Sequence, residues 1–314
     1  MLLNGTDTEA DVAPESSSQT FQYTSQSDQP LSREVVMSVS RASDIDPIEL
    51  HQGLHEVINP TALNALFQPT VDGTPRQEGT VEFLFHGYRV SAAADGTIAL
   101  RSEFNRLKQT GMNLLVCGTV PDRIRDVMSA CLLGDATRER AVLFVLTDRP
   151  TQTALDRLVD SQIPEQQAHV FSTDDSVRSA VPRPSPPETD AMLSTVTGSL
   201  DGIHTALLRT LDELEQSHDG FAPAELRVCF DSLRPYIDMN NLERVTTVLE
   251  KICDVIVQHD GMGQFLLPYA FVSPEIQSVR SCFDFVLELR ISQHGPEYRW
   301  HFNITGFTTQ WLPL

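Results

Sequence analysis

Lysine is almost missing from this sequence: Lys108 and Lys251 are the only two, and the remaining basic residues are arginines. Also missing is any apolar run near the ~20 residues that a membrane-spanning helix needs. No basic run advertises a nucleic-acid surface. The five cysteines (Cys117, Cys131, Cys229, Cys253, Cys282) include no CxxC, so neither a zinc knuckle nor a redox pair is indicated. Buried free thiols in a reducing cytoplasm are the expectation. No Gly-x-Ser-x-Gly elbow occurs, and the nine histidines do not cluster at metal-ligand spacing. His51 and His55 stand four apart, in a stretch that reads as loop or short helix. The start, MLLNGTDTEADVAPESSSQ, has no basic residue ahead of a long apolar run and does not read as a signal peptide. The expected location is therefore cytoplasmic, with no membrane partner.

What is abundant is carboxylate. Acidic residues outnumber basic ones 43 to 23, for a formal charge of −20. Such a surface repels nucleic acid and anionic lipid and suits concentrated salt, where counterions screen the self-repulsion.

A chain of 314 residues has room for two cores. Residues 1–30 hold five acidic residues, no basic ones and many Ser, Thr and Gln, a composition that predicts disorder. From Leu31, Val35, Val36 and Val39 share a helical stripe behind a Ser32 cap. Asn59-Pro60 announces a second helix with Leu63, Leu66 and Phe67 on one face. Strands follow at Val81–Phe85, Tyr88–Ala92 and Thr97–Leu100, broken at His86-Gly87 and Asp95-Gly96. Residues 31–102 thus read as a small α+β domain of two helices and a three-stranded meander, with Arg101–Thr110 as a helical connector.

From 111 to 314 strands and helices alternate, as in a mostly parallel α/β sheet with an antiparallel end. Expected strands are Asn113–Cys117, Ala141–Leu146, His169–Phe171, Leu226–Phe230, Gln264–Pro268, Phe283–Arg290 and Tyr298–Ile304. Expected helices include one whose stripe is Ile124, Val127, Met128, Cys131 and Leu132. Others are Thr151–Ser161, Leu200–Gln216 and Asn241–His259, the last opened by Asn240 with Glu243. Residues 178–190, with four prolines, read as a loop inserted in this domain. Tyr298, Trp300, Phe302, Phe307 and Trp311 predict an outer strand and a final segment packed on the sheet.

Two places carry candidate chemistry. The turn after the first α/β strand, Cys117-Gly118-Thr119-Val120-Pro121-Asp122-Arg123-Ile124-Arg125, stands where a P-loop enzyme has GxxxxGK[ST]. Aligned on Gly118, Arg123 replaces the second glycine, Ile124 the lysine and Arg125 the hydroxyl. The strand Leu226–Phe230 ends in Asp231, where a magnesium-holding carboxylate would stand; as a structural residue, Asp231 would end a strand or cap a helix. Asp148 has the same two readings: a catalytic carboxylate, or the residue that orders the turn into Pro150.

Residues 31–102, through Asp46-Pro47-Ile48-Glu49-Leu50, Leu54-His55-Glu56-Val57-Ile58-Asn59-Pro60, Val81-Glu82-Phe83 and Asp95-Gly96-Thr97-Ile98, resemble the halobacterial output domain. That resemblance implies signal output in a haloarchaeon. Residues 111–314, through Asn113–Gly118, Arg227–Leu233 and Gly306–Trp311, resemble the RecA/KaiC-like superfamily. It implies a three-layer fold, and the departures at Arg123, Ile124 and Arg125 imply a degenerate nucleotide site in which Gly118, Arg123, Arg125 and Asp231 are relics. The expectation is no catalytic residue, no metal and no cofactor, in a protein that acts on protein partners of a signalling pathway. The alternatives left open are a nucleotide-binding switch with little ATPase activity, a transcriptional regulator, and a homo-oligomer.

Overall fold

The turn His86-Gly87 holds both residues at positive φ, 51° and 77°, the backbone that a two-residue hairpin demands. It joins β2 (Thr80–Phe85) to β3 (Tyr88–Ala93), and the break at Asp95-Gly96 joins β3 to β4 (Thr97–Ser102). Asp95 Oδ1 accepts from the Thr97 N–H at 2.8 Å and fixes that second turn. A further strand, β1 (Phe21–Thr24), pairs antiparallel with β4 and completes a four-stranded sheet in the order β1-β4-β3-β2. Phe21 and Tyr23 are only half-exposed, which supplies the apolar side that a count over residues 1–30 dilutes; the disorder expected there fails at this strand.

Three helices join this sheet: α1 (Leu31–Ser43), α2 (Leu54–Val57) and α3 (Pro60–Leu66). Asn59 caps α3, accepting from the Thr61 and Ala62 N–H groups. The expected Ser32 cap is displaced because α1 begins two residues earlier, at Leu31 behind Pro30. Leu66 is exposed while Leu63 is buried. The core gathers Val35, Val39, Leu54, Leu63, Phe85, Val90, Ala92, Ile98 and Leu100.

The chain divides into two units. The unit just described extends to Leu107 and takes in Ile304–Thr309 from the far end of the sequence. There Phe307 is buried, its ring centroid 4.3 Å from that of His86. The second unit comprises Lys108–Asn303 and Gln310–Leu314, and α4 (Glu103–Thr110) spans the division. The structure is a computed model that describes residues 20–24, 29–48, 50, 52–69, 71–74, 78–134, 137–173, 189–218, 220–238 and 242–314. Most of the proline-rich segment, the rest of the acidic start, His51 and Asn240 lie outside the described residues.

The second unit is built on nine strands: β5 (Met112–Cys117), β6 (Ala141–Leu146), β7 (Ala168–Thr173), β8 (Met192–Val196), β9 (Leu226–Asp231), β10 (Met262–Leu267), β11 (Phe285–Ser292), β12 (Gly295–Phe302) and β13 (Leu312–Pro313). Their order is β13-β12-β11-β5-β10-β9-β6-β7-β8. Seven run parallel, and β12 and β13 close one edge antiparallel. Strands β5, β6, β9 and β10 are buried on both faces, as a parallel sheet under two helical layers requires. The helices are α5 (Asp122–Leu133), α6 (Thr151–Asp160), α7 (Leu200–His218), α8 (Arg234–Ile237), α9 (Leu242–Gln258) and α10 (Pro274–Val279).

The two faces of this sheet differ. Toward α7 and α9 it is mainly apolar, with Leu115, Leu143, Val228, Phe230 and Phe265 against Ile203, Leu207, Leu249 and Ile256, and with buried Asn113 donating to the Cys253 carbonyl of α9. Toward α5 and α6, strand β9 instead sends in Arg227, Cys229 and Asp231, and β10 sends in Gln264. That polar face explains the expected α5 stripe that fails. Met128, Ser129, Ala130 and Leu133 are buried there, while Val127 and Cys131 are exposed. The Ser129 carbonyl accepts from Gln264 Nε2 at 3.1 Å, and its hydroxyl lies 3.4 Å from Cys229 Sγ. A small polar residue thus takes the place where an apolar periodicity looks for a large one. Cys117, Cys229 and Cys253 are buried, and all five thiols are free.

Strand β8 follows directly on the proline-rich stretch and was not among the expected strands. Its sequence MLSTV is short and half exposed, with no clean alternation. The final segment also departs from expectation, since Phe307 packs in the first unit rather than on the large sheet. Trp311 does reach that sheet, held between the guanidinium groups of Arg290 and Arg299 at 3.8 and 4.4 Å from its ring centroid.

Candidate functional site

In an open parallel sheet, ligands bind beyond the carboxyl ends of the strands. Both candidate stretches end there, because Leu266 of β10 pairs with Val116 of β5 on one side and with Asp231 of β9 on the other.

Gly118 leaves β5 at φ 131°. Its N–H donates to the Tyr269 carbonyl at 2.8 Å. A Cβ at this position would lie 2.3 Å from the Leu289 carbonyl oxygen of β11. The glycine is therefore required by the close passage of a neighbouring strand, and its N–H is already used. After Pro121 the helix α5 begins at Asp122, with no side-chain cap. Arg123 is exposed. Arg125 folds back onto its own loop, donating to the Val120 carbonyl at 2.5 Å and pairing with Asp122.

Asp231 is buried and bonded to Arg157 of α6, Oδ2 to Nη2 at 2.5 Å. Arg157 is fully buried; the same Nη2 also reaches Asp126 Oδ1 at 2.5 Å, and its Nη1 contacts Cys229 Sγ at 3.2 Å. Arg149 then ties Asp126 (2.8 Å) to Asp122 (3.2 Å). Burial alone would lower the Arg157 pKa, but Cys229, Asp231 and Asp126 hold its guanidinium above the ordinary arginine range. Burial pushes the Asp231 carboxyl up, against the pull of Arg157 and Arg149. Asp122, Asp126 and Asp231 thus offset Arg125, Arg149 and Arg157.

The ends of β6 and β9 are laced together beside this network. Thr147 Oγ1 donates to the Ser232 carbonyl at 2.6 Å and accepts from the Ser232 N–H at 2.9 Å. The intervening Asp231–Ser232 peptide is cis. Asp148 binds across to the segment after β9 rather than within its own turn, accepting from Ser232 Oγ at 3.1 Å and from Arg234 Nη2 at 2.7 Å.

Of the four positions named from the sequence, the structure gives Gly118, Arg125 and Asp231 to internal contacts and leaves Arg123 exposed. An ATP-magnesium group does not fit them. The loop's first N–H is committed, the first turn of α5 carries Asp122 with Asp126 one turn further on, and the aspartate that would serve the metal is bonded to an arginine. Sequence reasoning missed Arg157, Asp126 and Arg149. A signal for Arg157 exists: it stands within the buried stripe Ala154, Leu155, Leu158 of α6, where an arginine needs a carboxylate partner.

A second polar group lies on β11 and β12, where Glu288 Oε2 accepts from Arg299 Nε at 2.7 Å and meets His301 Nε2 at 2.9 Å. The His301 ring stacks on Phe271 at 3.8 Å. Burial alone would raise the Glu288 carboxyl, but the bonds from His301 and Arg299 hold it below the usual range. Glu103 of α4 is held down likewise by Arg106 and Arg89 against its burial. A carboxyl whose folded pKa is depressed adds stability above its unfolded value, 4.5 for these glutamates, and loses it as pH falls through the folded one. We expect the urea midpoint of the protein to fall as pH drops below 4.5, and the fall to be shallower in Glu288→Gln. An unchanged acid limb in that variant would count against the role of Glu288.

Among the described residues no helix is long and apolar enough to cross a membrane, and no group of His, Cys, Asp and Glu is placed to hold a metal.

No curated protein matches the chain. Two solved structures from Pyrococcus horikoshii are similar to it at 15% identity. One is a KaiC-like protein of strain OT3, aligned over 62% of this chain and 80% of its own with a TM-score of 0.39. The other is an uncharacterized protein in complex with an unknown peptide, aligned over 64% and 86% with a TM-score of 0.44. The model of Halobacterial output domain 1 (HalOD1) matches residues 27–102, which hold α1 to α3 and β2 to β4. Residues 111–289, more than half of the chain, match the model described as a family of unknown function, DUF7504. Residues 27–102 are thus similar to Halobacterial output domain 1, and the chain belongs to the family of unknown function DUF7504.

Proposed function

We propose that this protein is a non-catalytic adaptor of signal transduction, in which the output domain and the α/β unit each act by binding other proteins. The observation that carries this reading is the commitment of both ancestral site positions to the chain itself: the Gly118 N–H to Tyr269 and the Asp231 carboxylate to Arg157. A phosphate cradle works by presenting free N–H groups and a lysine to the ligand. Here the corresponding turn has no lysine, its Gly118 N–H is already bonded to Tyr269, and the three arginines around it are offset by three aspartates. The output domain at residues 27–102 supports a signalling role, and the acidic surface supports work in concentrated salt.

Calorimetry with ATP and magnesium in multimolar potassium chloride tests the proposal. No saturable heat is expected at millimolar ATP. Saturable binding that disappears in Asp231→Asn, with the fold intact by circular dichroism, would overturn it in favour of a nucleotide-binding switch.

A further inference from the structure

The chain passes from the second unit into the first and back within a few residues: Asn303 and Gln310 belong to the second unit, and Ile304–Thr309 between them to the first. Both ends of this excursion are held. On one side Asn303 Nδ2 donates to the Arg280 carbonyl at 2.7 Å and to the Phe283 carbonyl at 2.8 Å. Its N–H donates to the Asp284 carbonyl at 3.1 Å. On the other side Trp311 lies between two guanidinium groups that are themselves fixed, Arg290 by Glu297 and Arg299 by Glu288, each at 2.7 Å. Leu312 then pairs with Tyr298, and the Leu314 N–H donates to the Pro296 carbonyl at 3.0 Å. In the middle, Gly306 turns the chain at φ 69°, and Thr305 Oγ1 accepts from the Phe307 N–H at 3.2 Å. The buried Phe307 ring meets His86, whose own N–H donates to Gln52 at 2.9 Å.

We infer that residues 304–310 are a strap that couples the two units energetically. The seat of Phe307 at His86 and the seat of Trp311 between Arg290 and Arg299 stabilise each other. The physical reason is the shortness of the strap. Seven residues, 304–310, link two fixed ends, so docking of Phe307 is an intramolecular event over a short loop. Release of Trp311 turns that loop into a tail, and Phe307 then searches a larger volume before it docks. The coupling is reciprocal, because a free energy shared by two sites is the same seen from either one. Any event that displaces Trp311 from β11 and β12 is thereby felt in the first unit, although residue 311 is no part of it. The strap goes beyond the adaptor reading and does not rest on the state of the phosphate-loop turn.

Hydrogen–deuterium exchange of the full chain tests this, read by mass spectrometry in peptides over residues 80–93 and over strands β6 and β9. Trp311→Ala is expected to speed exchange across residues 80–93 by at least about threefold, with β6 and β9 unchanged. Phe307→Ala is expected to speed it further. The double variant is expected to match Phe307→Ala alone there, since a strap with no ring to seat transmits nothing. A Trp311→Ala protein whose residues 80–93 stay as protected as in the wild type overturns the inference. So do effects of the two substitutions that add. A rise over β6 and β9 as large as that over residues 80–93 also overturns it, because the second unit has then loosened as a whole. If Phe307→Ala unfolds the first unit, Arg290→Gln with Arg299→Gln decides: it must reproduce the Trp311→Ala response over residues 80–93.

Discussion

Asp231→Ala is expected to lower the unfolding free energy of the α/β unit by about 3 kcal/mol, the low end of the cost of breaking a buried ion pair. The loss falls at that end because Arg157 keeps Asp126 as a second partner at 2.5 Å. It is still large, because Arg157 is wholly buried and its charge has no route to water. Replacing both partners with apolar residues, Arg157→Met with Asp231→Leu, is expected to recover most of the loss, since the desolvation cost of the pair goes with it. Urea denaturation followed by circular dichroism reads both. If Asp231→Ala proves as stable as the wild type, the carboxylate is not structural, and the argument that it is unavailable for a metal fails with it.

The second large effect is expected at Gly118. Gly118→Ala brings a Cβ to 2.3 Å from the Leu289 carbonyl oxygen, at φ 131°. A non-glycine residue in that backbone region costs on the order of 1–3 kcal/mol, and the overlap forces β5 and β11 apart in addition. A total of about 3 kcal/mol is expected, with a matching drop in the urea midpoint. Gly198 is the matched control. A Cβ there meets only Thr173 at 3.7 Å, so Gly198→Ala is expected within about 0.5 kcal/mol of the wild type. If the two substitutions behave alike, the close approach of β11 does not explain why a glycine stands after β5.

The α/β sheet was legible because its central strands are continuous apolar runs. Ala141–Leu146 and Leu226–Phe230 can be little else than strands covered on two sides, and the structure buries them so. The hairpins at His86-Gly87 and Asp95-Gly96 were legible because their turns need positive φ. Strand β1 was hidden by averaging composition over residues 1–30, and β8 by its brevity and by the prolines before it. The α5 face was misread because periodicity weighs only apolar residues, whereas α5 packs on a polar stripe through Ser129 and Ala130. Of the candidate site, the departures from the phosphate-loop pattern at Arg123, Ile124 and Arg125 are visible in the sequence. The ion-pair network around Asp231 is not. The bond from Asp231 to Arg157 joins residues 74 apart, and only the fold brings them together.

The seating of Phe307 against His86 has a consequence for synthesis. The segment Ile304–Thr309 belongs to the same unit as the output domain, yet it leaves the ribosome only after the whole α/β unit has been made. At about 5–20 residues per second that delay runs to roughly tens of seconds. During it, the unit that precedes the α/β strands waits without the residue that meets His86. A nascent chain therefore presents that unit unfinished, and its last contact forms only after the α/β strands have been made.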